Sequence, residues 1–241
     1  MTKRFRASLA AATVVVAAIS PFVASPALAA PTALDGTARH ALMLRYAACV
    51  AQREPETVRK YLFDRASVQD RSEFDKLASV PCVKDAGIRD FRSFRAQSAA
   101  MAGAWGELAL AKIPASVEAG FAAAAPLVHV REMSMAEFDP KKRLNREQFA
   151  ALVDRSNRDR GVMVLGECVV RAAPAQSRAF IATEFGSAAE KAAVQPLGPA
   201  LTTCVGGGSV KLLPQQLRGA LAFNYLRLAV AVRPELAGAL F

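Results

Sequence analysis

The stretch that decides the fold is Cys168-Val169-Val170-Arg171, followed by Pro174, Arg178 and Phe180-Ile181, because the chain carries the same pattern earlier. The earlier copy reads Cys49-Val50, then Pro55, Arg59 and Tyr61-Leu62, at a constant offset of 119 residues. Each copy continues to a second cysteine-valine pair, Cys82-Val83 and Cys204-Val205, and then to Phe94-Arg95 and Leu217-Arg218. Over those last blocks the offset grows to 122 and then 123, as small loop insertions would produce. The pattern implies a tandem duplication with one cysteine pair in each unit.

Helix is the expected element in both units, since alanine dominates and alternating β-branched residues are rare. In unit one, Asp35 is placed to cap a helix through His40, Leu44 and Ala48, and Pro55 to open the next, with Val58, Tyr61 and Leu62 on one side. A short third helix is expected to use Phe74 and Leu77 and to stop before Pro81-Cys82. The fourth, from about Asp90 to Lys112, places Phe91, Phe94, Met101, Trp105 and Leu108 on one apolar stripe. In unit two, Val162 to Arg171 reads as the helix bearing Cys168, Pro174 opens the next and Ser187 caps a third. Gly206-Gly207-Gly208 reads as a loop. Pro214 starts a last helix with Leu217, Leu221, Tyr225 and Leu228 on its apolar face.

The predicted fold is therefore all-α: two tandem, similar four-helix units, each with one internal disulfide. Unit one covers residues 30–112, a connecting segment 113–144, and unit two 145–241. In the connection, Ala122–Ala125 favour helix, Pro126 interrupts them, and Leu127 to Val130 suits a short extended stretch. Asp139 or Asn145 would begin a helix through Phe149, Leu152 and Val153.

Residues 1–29 have the anatomy of a secretory signal peptide. Lys3, Arg4 and Arg6 precede an apolar run from Leu9 to Ile19, and Ala27-Leu28-Ala29 supplies small residues for cleavage. Removing the leader lowers the formal charge from +10 to +7 and leaves no membrane-spanning segment. The expected location is periplasmic or secreted, where disulfides form and persist. Four cysteines permit three pairings. If each unit once folded alone, the bonds close within units, Cys49–Cys82 and Cys168–Cys204. Each would add about 4 kcal/mol in the chain-entropy model. A metal site is disfavoured by the absence of C-x2-C and by having only His40 and His129. Thiol catalysis lacks its C-x-x-C signature. No cofactor is implied.

Basic clusters at Lys141, Lys142, Arg143 and Arg146, and at Arg155, Arg158 and Arg160, suit an anionic surface or a solvated face. No aromatic residues interleave with them, so nucleic acid is not an expected partner. The matched arginines Arg59, Arg95, Arg178 and Arg218 are the candidates for anion or partner binding, because a guanidinium takes carboxylate or phosphate bidentately. Their retention in both copies favours a structural role instead. No catalytic residue is assigned. A serine nucleophile has only His40 or His129 as base and no G-x-S-x-G context. Glu107, Glu118, Glu132, Glu137 and Glu167 could supply a carboxylate pair, but Glu107 reads as a solvated helix residue. Trp105 and Met101 read as core.

The block Cys168-Val169-Val170-Arg171 with Pro174 and Arg178, then Leu217-Arg218-Gly219-Ala220-Leu221-Ala222, resembles uncharacterised small exported helical proteins of sphingomonad-type alphaproteobacteria. The resemblance covers unit two best. It implies export and the repeat and brings no reaction with it. The function expected from all this is a non-catalytic protein-binding or scaffold module of the cell envelope. An envelope hydrolase using carboxylates is the alternative.

Overall fold

Asp35 accepts a hydrogen bond from the Ala38 N–H at 2.7 Å and so starts α1, Gly36–Arg53, where the sequence places it. The computed structural model describes residues 35–64, 80–88, 98–141, 144–207 and 212–241. The leader, the expected helix with Phe74 and Leu77, the residues Phe91, Phe94 and Arg95, and Lys142, Arg143 and Gly208 lie outside the described residues. Ten α-helices and no strand are found among those described, so the chain is all-α.

The matched prolines do the same job in both halves. Helix α1 ends at Glu54 (φ −131°, ψ 48°), whose N–H still reaches Val50 O, and Pro55 opens α2, Pro55–Phe63. The long helix of the second half ends at Ala173 (φ −143°, ψ 62°), whose N–H reaches Val169 O, and Pro174 opens the next helix. In each case a proline at the first turn sacrifices an N–H that has no intrahelical acceptor anyway.

Helix α3, Val80–Asp85, contains Pro81-Cys82, while the helix expected to stop before them lies outside the described residues. Pro81 is tolerated because it falls in the first turn. Cys82 on α3 is bonded to Cys49 in the last turns of α1, with Cα atoms 5.5 Å apart. The second disulfide joins Cys168 to Cys204, Cα atoms 5.8 Å apart. Both close within a half, as expected if each unit once folded alone.

Helix α4, Ser98–Leu110, departs from the single-stripe expectation. Met101 and Trp105 are core, but Ala102, Gly103, Ala104, Gly106, Ala109 and Leu110 are buried too, whereas Leu108 is 37% exposed. The cause is that α4 is covered on several sides. Helix α1 lies along it, with Trp105 Nε1 donating to Ala47 O at 2.9 Å.

The segment between the halves forms a 3-10 helix, Ala115–Gly120, then runs without regular structure to a second, Met135–Glu137, which Ser134 and Glu137 cap reciprocally. Asn145, not Asp139, begins α5, Arg146–Ala172, with Asn145 Oδ1 accepting from Gln148 N–H at 2.8 Å. The stretches around Phe149 and around Cys168 belong to this one helix of 27 residues. No proline interrupts it, and Gly161 is exposed within it. Then follow α6, Pro174–Ile181; α7, Ala188–Val194, capped by Ser187; and α8, Gly198–Val205, ended by Gly206 in the left-handed region (φ 65°). Helix α9, Pro214–Val232, and α10, Leu236–Leu240, complete the chain.

Helix α9 is buried on every side from Leu217 to Ala229 and is the centre of the molecule. It meets α4 backbone to backbone: a Cβ on Gly103 would lie 2.3 Å from Gly219 Cα, and one on Gly106 would lie 2.3 Å from Ala222 O. On α5, a Cβ on Gly166 would lie 2.8 Å from Ala220 Cβ. Residues from both halves consequently form one apolar core, including Tyr46, Val50, Leu62, Trp105, Phe180, Leu221 and Tyr225.

Gly106→Ala should cost about 2–3 kcal/mol in urea or thermal unfolding, because its new methyl meets backbone that cannot yield. Gly161→Ala, with nothing within 4 Å of the added carbon, should stabilise by about 0.5–1 kcal/mol.

Candidate functional site

The ionisable side chains with the chemistry for a site are gathered into three carboxylate-centred clusters, and each cluster fastens one element to another. The first surrounds Glu107 on α4. Far from being a solvated helix residue, its side chain is only 9% exposed and accepts from His40 Nε2 at 3.1 Å and Arg218 Nε at 2.7 Å. Helices α1 and α9 bring those partners to α4. Glu107 interrupts an otherwise apolar helix, Ser98–Leu110, and that isolated charge is the signal for a buried pair.

Arg218 is 4% exposed and spends every N–H on the protein. Besides Glu107, Nη1 donates to Glu190 Oε1 (3.1 Å), Phe180 O and Thr183 Oγ1, while Nη2 donates to Ile181 O and Thr183 O at 2.6 Å each. It thereby closes the carbonyl end of α6, a favourable place for a cation. Glu190 also accepts from Gly186 N–H at 2.7 Å, and the His40 ring stacks on Phe185 with centroids 4.4 Å apart.

The second cluster pins the connecting segment to α5. Glu167 accepts from His129 Nε2 (2.6 Å), Leu127 N–H (3.0 Å) and Arg171 Nε and Nη2 (2.8 and 2.6 Å). Arg171 in turn donates to the carbonyls of Phe121, Ala124 and Ala125. Burial pushes the Glu167 carboxyl up, but the bonds from His129, Leu127 and Arg171 outweigh it and hold it at about 2.

In the third cluster Tyr225 O–H donates to Glu118 Oε1 at 2.5 Å and accepts from Arg178 Nη1 at 3.0 Å. Burial first, and then Glu118, push the Tyr225 phenol well above its ordinary value. Arg178 Nη2 also donates to Leu110 O and Ile113 O, closing the carbonyl end of α4.

Of the four matched arginines, Arg178 and Arg218 thus cap different helices, Arg59 pairs with Glu56 on the surface of α2, and Arg95 lies outside the described residues. The structure does not bring the three described arginines to one cleft. The carboxylate–histidine pairs were not visible in the sequence, because the partners are 67 and 38 residues apart.

Chemically, His40–Glu107 and His129–Glu167 each have the form of a base with its orienting acid. Neither histidine has a hydroxyl bonded to it among the described residues, and both carboxylates are neutralised by arginine. All four cysteines are in disulfides. Among the described residues no group of three or more His, Cys, Asp or Glu is placed to hold a metal ion. No helix among them is long and apolar enough to cross a membrane. No protein-family model, curated protein or solved structure matches the chain.

Arg218→Met should lower stability by about 3–5 kcal/mol, because it leaves two buried carboxylates without their cation. The Glu167 carboxyl ionises more easily folded than unfolded, so its stabilisation is complete above the unfolded value of about 4.3 and is lost as pH falls towards 2. Acid titration of stability should show wild type losing about 2 kcal/mol more than Glu167→Gln across that window.

Proposed function

We propose that this protein is an exported, non-catalytic helical module that binds another protein of the cell envelope. The observation that carries the reading is the commitment of the reactive groups. Both histidines, Glu107, Glu118, Glu167 and Glu190 are spent on internal contacts that hold α1, α4, α5, α6, α9 and the connecting segment together. An acid–base site needs such groups facing a substrate with a tuned, free proton. Glu167, the one carboxylate among the described residues that its surroundings shift strongly, is shifted towards permanent ionisation, which opposes use as a general acid.

Export rests on the leader-like residues 1–29 and is supported by two closed disulfides, which persist in oxidising compartments. Descent by duplication is supported by the like turns at Glu54-Pro55 and Ala173-Pro174 and by the like placement of the two disulfides. The surface we assign to the partner is the connecting segment. Val130, Met135 and Leu144 are exposed there, beside the exposed bases Lys141 and Arg146. Solvated apolar side chains next to a charged rim are the usual composition of a transient interface.

The test is cross-linked capture of the oxidised, leader-free protein from envelope extracts, run beside a hydrolase substrate panel. One envelope protein should be enriched by wild type and reduced at least tenfold by the pair Val130→Asp and Met135→Asp, with unfolding unchanged. No turnover should be found. Turnover that disappears in Glu107→Gln or Glu167→Gln, or capture indifferent to the surface pair, would overturn the reading.

A further inference from the structure

Arg227 on α9 and Arg160 on α5 each have a buried guanidinium nitrogen with no hydrogen-bond partner. Arg227 on α9 is only 7% exposed, yet it makes no hydrogen bond or ion pair among the described residues, and its Nη1 is fully buried without a partner. Its one close neighbour of note is the Phe223 ring, 5.1 Å from Cζ, which offers a π face and no acceptor oxygen. Arg160 on α5 is half-buried, and its Nε is likewise sealed from solvent without a partner.

The packing of α5 on α9 puts these two residues at one level along the helix pair. Asn224 Nδ2 donates to Met163 O at 2.8 Å, while Gly166 lies against Ala220 and Asn224. The helices therefore run antiparallel at this contact, and extending the register by one turn brings Arg160 opposite Arg227. Burial lowers Arg227 to about 10, against the opposing charge of nearby Glu167. Glu167 already accepts from His129, Leu127 and Arg171 and makes no hydrogen bond to Arg227. Over this stretch of α5 the connecting segment is tied down at both ends, by Leu127 and His129 on Glu167 and by Met133 exchanging two bonds with Asn157. Arg160 lies between those ties.

A buried guanidinium with unmet donors is costly unless an anion pairs with it. At Arg218 this protein meets that demand fully. We propose that Arg160 and Arg227 hold an oxyanion group, carboxylate or phosphate, between α5 and α9 under the 127–133 segment. Arg59 also has a buried Nε without a partner, but it stands on α2 and its Nη2 is paired with Glu56. The site is independent of the protein-binding role proposed above, because a small anion would occupy it with or without a protein partner.

The experiment is thermal unfolding of the oxidised protein in sodium phosphate, sodium acetate and sodium chloride at matched ionic strength and one neutral pH. At least one oxyanion should raise Tm by about 3 °C over chloride, the shift expected at several times its Kd. A response to phosphate alone assigns a phosphate group, and a response to acetate alone a carboxylate. Arg227→Met should abolish the shift, and Arg160→Gln should at least halve it. Arg155→Gln, on the exposed side of α5, should leave it unchanged. Equal Tm in all three salts, or a shift that survives in Arg160→Gln, would overturn the site. Arg160→Gln carries the decision if Arg227→Met does not fold.

Discussion

The contact on which the structure depends is the meeting of α4 and α9 at Gly103, Gly106, Gly219 and Ala222, where backbone touches backbone. Side chains of ordinary size would hold two helices 8–10 Å apart. Removing them lets the helices approach more closely and lets small residues bury surface on every side. Helix α9 can then be enclosed from Leu217 to Ala229, with α4 on one flank and α5 on another at Gly166. Alanine and glycine have low side-chain entropy to lose, so such an interface orders at small cost. It also tolerates little change.

Burying two helices from opposite halves creates a polar problem, which the three carboxylate clusters solve. Arg218 rides on α9 into the interior and finds Glu107, Glu190 and the carbonyl end of α6. Arg178 finds the carbonyl end of α4 and Tyr225. Glu167 gathers the otherwise irregular segment after Phe121. In a low-dielectric interior each of these bonds is strong when complete and a liability when broken. They fix which helix end meets which, a task that a core of alanine and leucine alone performs poorly. The two disulfides act locally, each tying the end of a long helix to a short one in its own half.

Local signals in the sequence were readable because they depend on neighbours in the chain. Asp35, Asn145 and Ser187 start helices, Pro55 and Pro174 open them, and the cysteines pair within each copy of the recurring pattern. What depended on distant parts of the chain was not readable. An apolar stripe was expected on α4 because helical periodicity assumes one wet face, whereas Gly103 and Gly106 mark a face that meets another backbone. Glu107 looked solvated because nothing near it in sequence reveals His40 or Arg218. Arg227 looked like any helical arginine, and only packing shows that it lacks an acceptor. The repeat, finally, suggests two units, while the α4–α9 contact gives the two halves a common core.

That common core is the central claim, and native-state hydrogen exchange of the oxidised protein tests it most directly. Amides of α4 and α9, with those of α1 and α5 that face them, should exchange only through global unfolding and share one free energy. If the amides of α1 and α4 exchanged at a distinctly lower free energy than those of α5 and α9, the halves would be opening separately and the account would be contradicted.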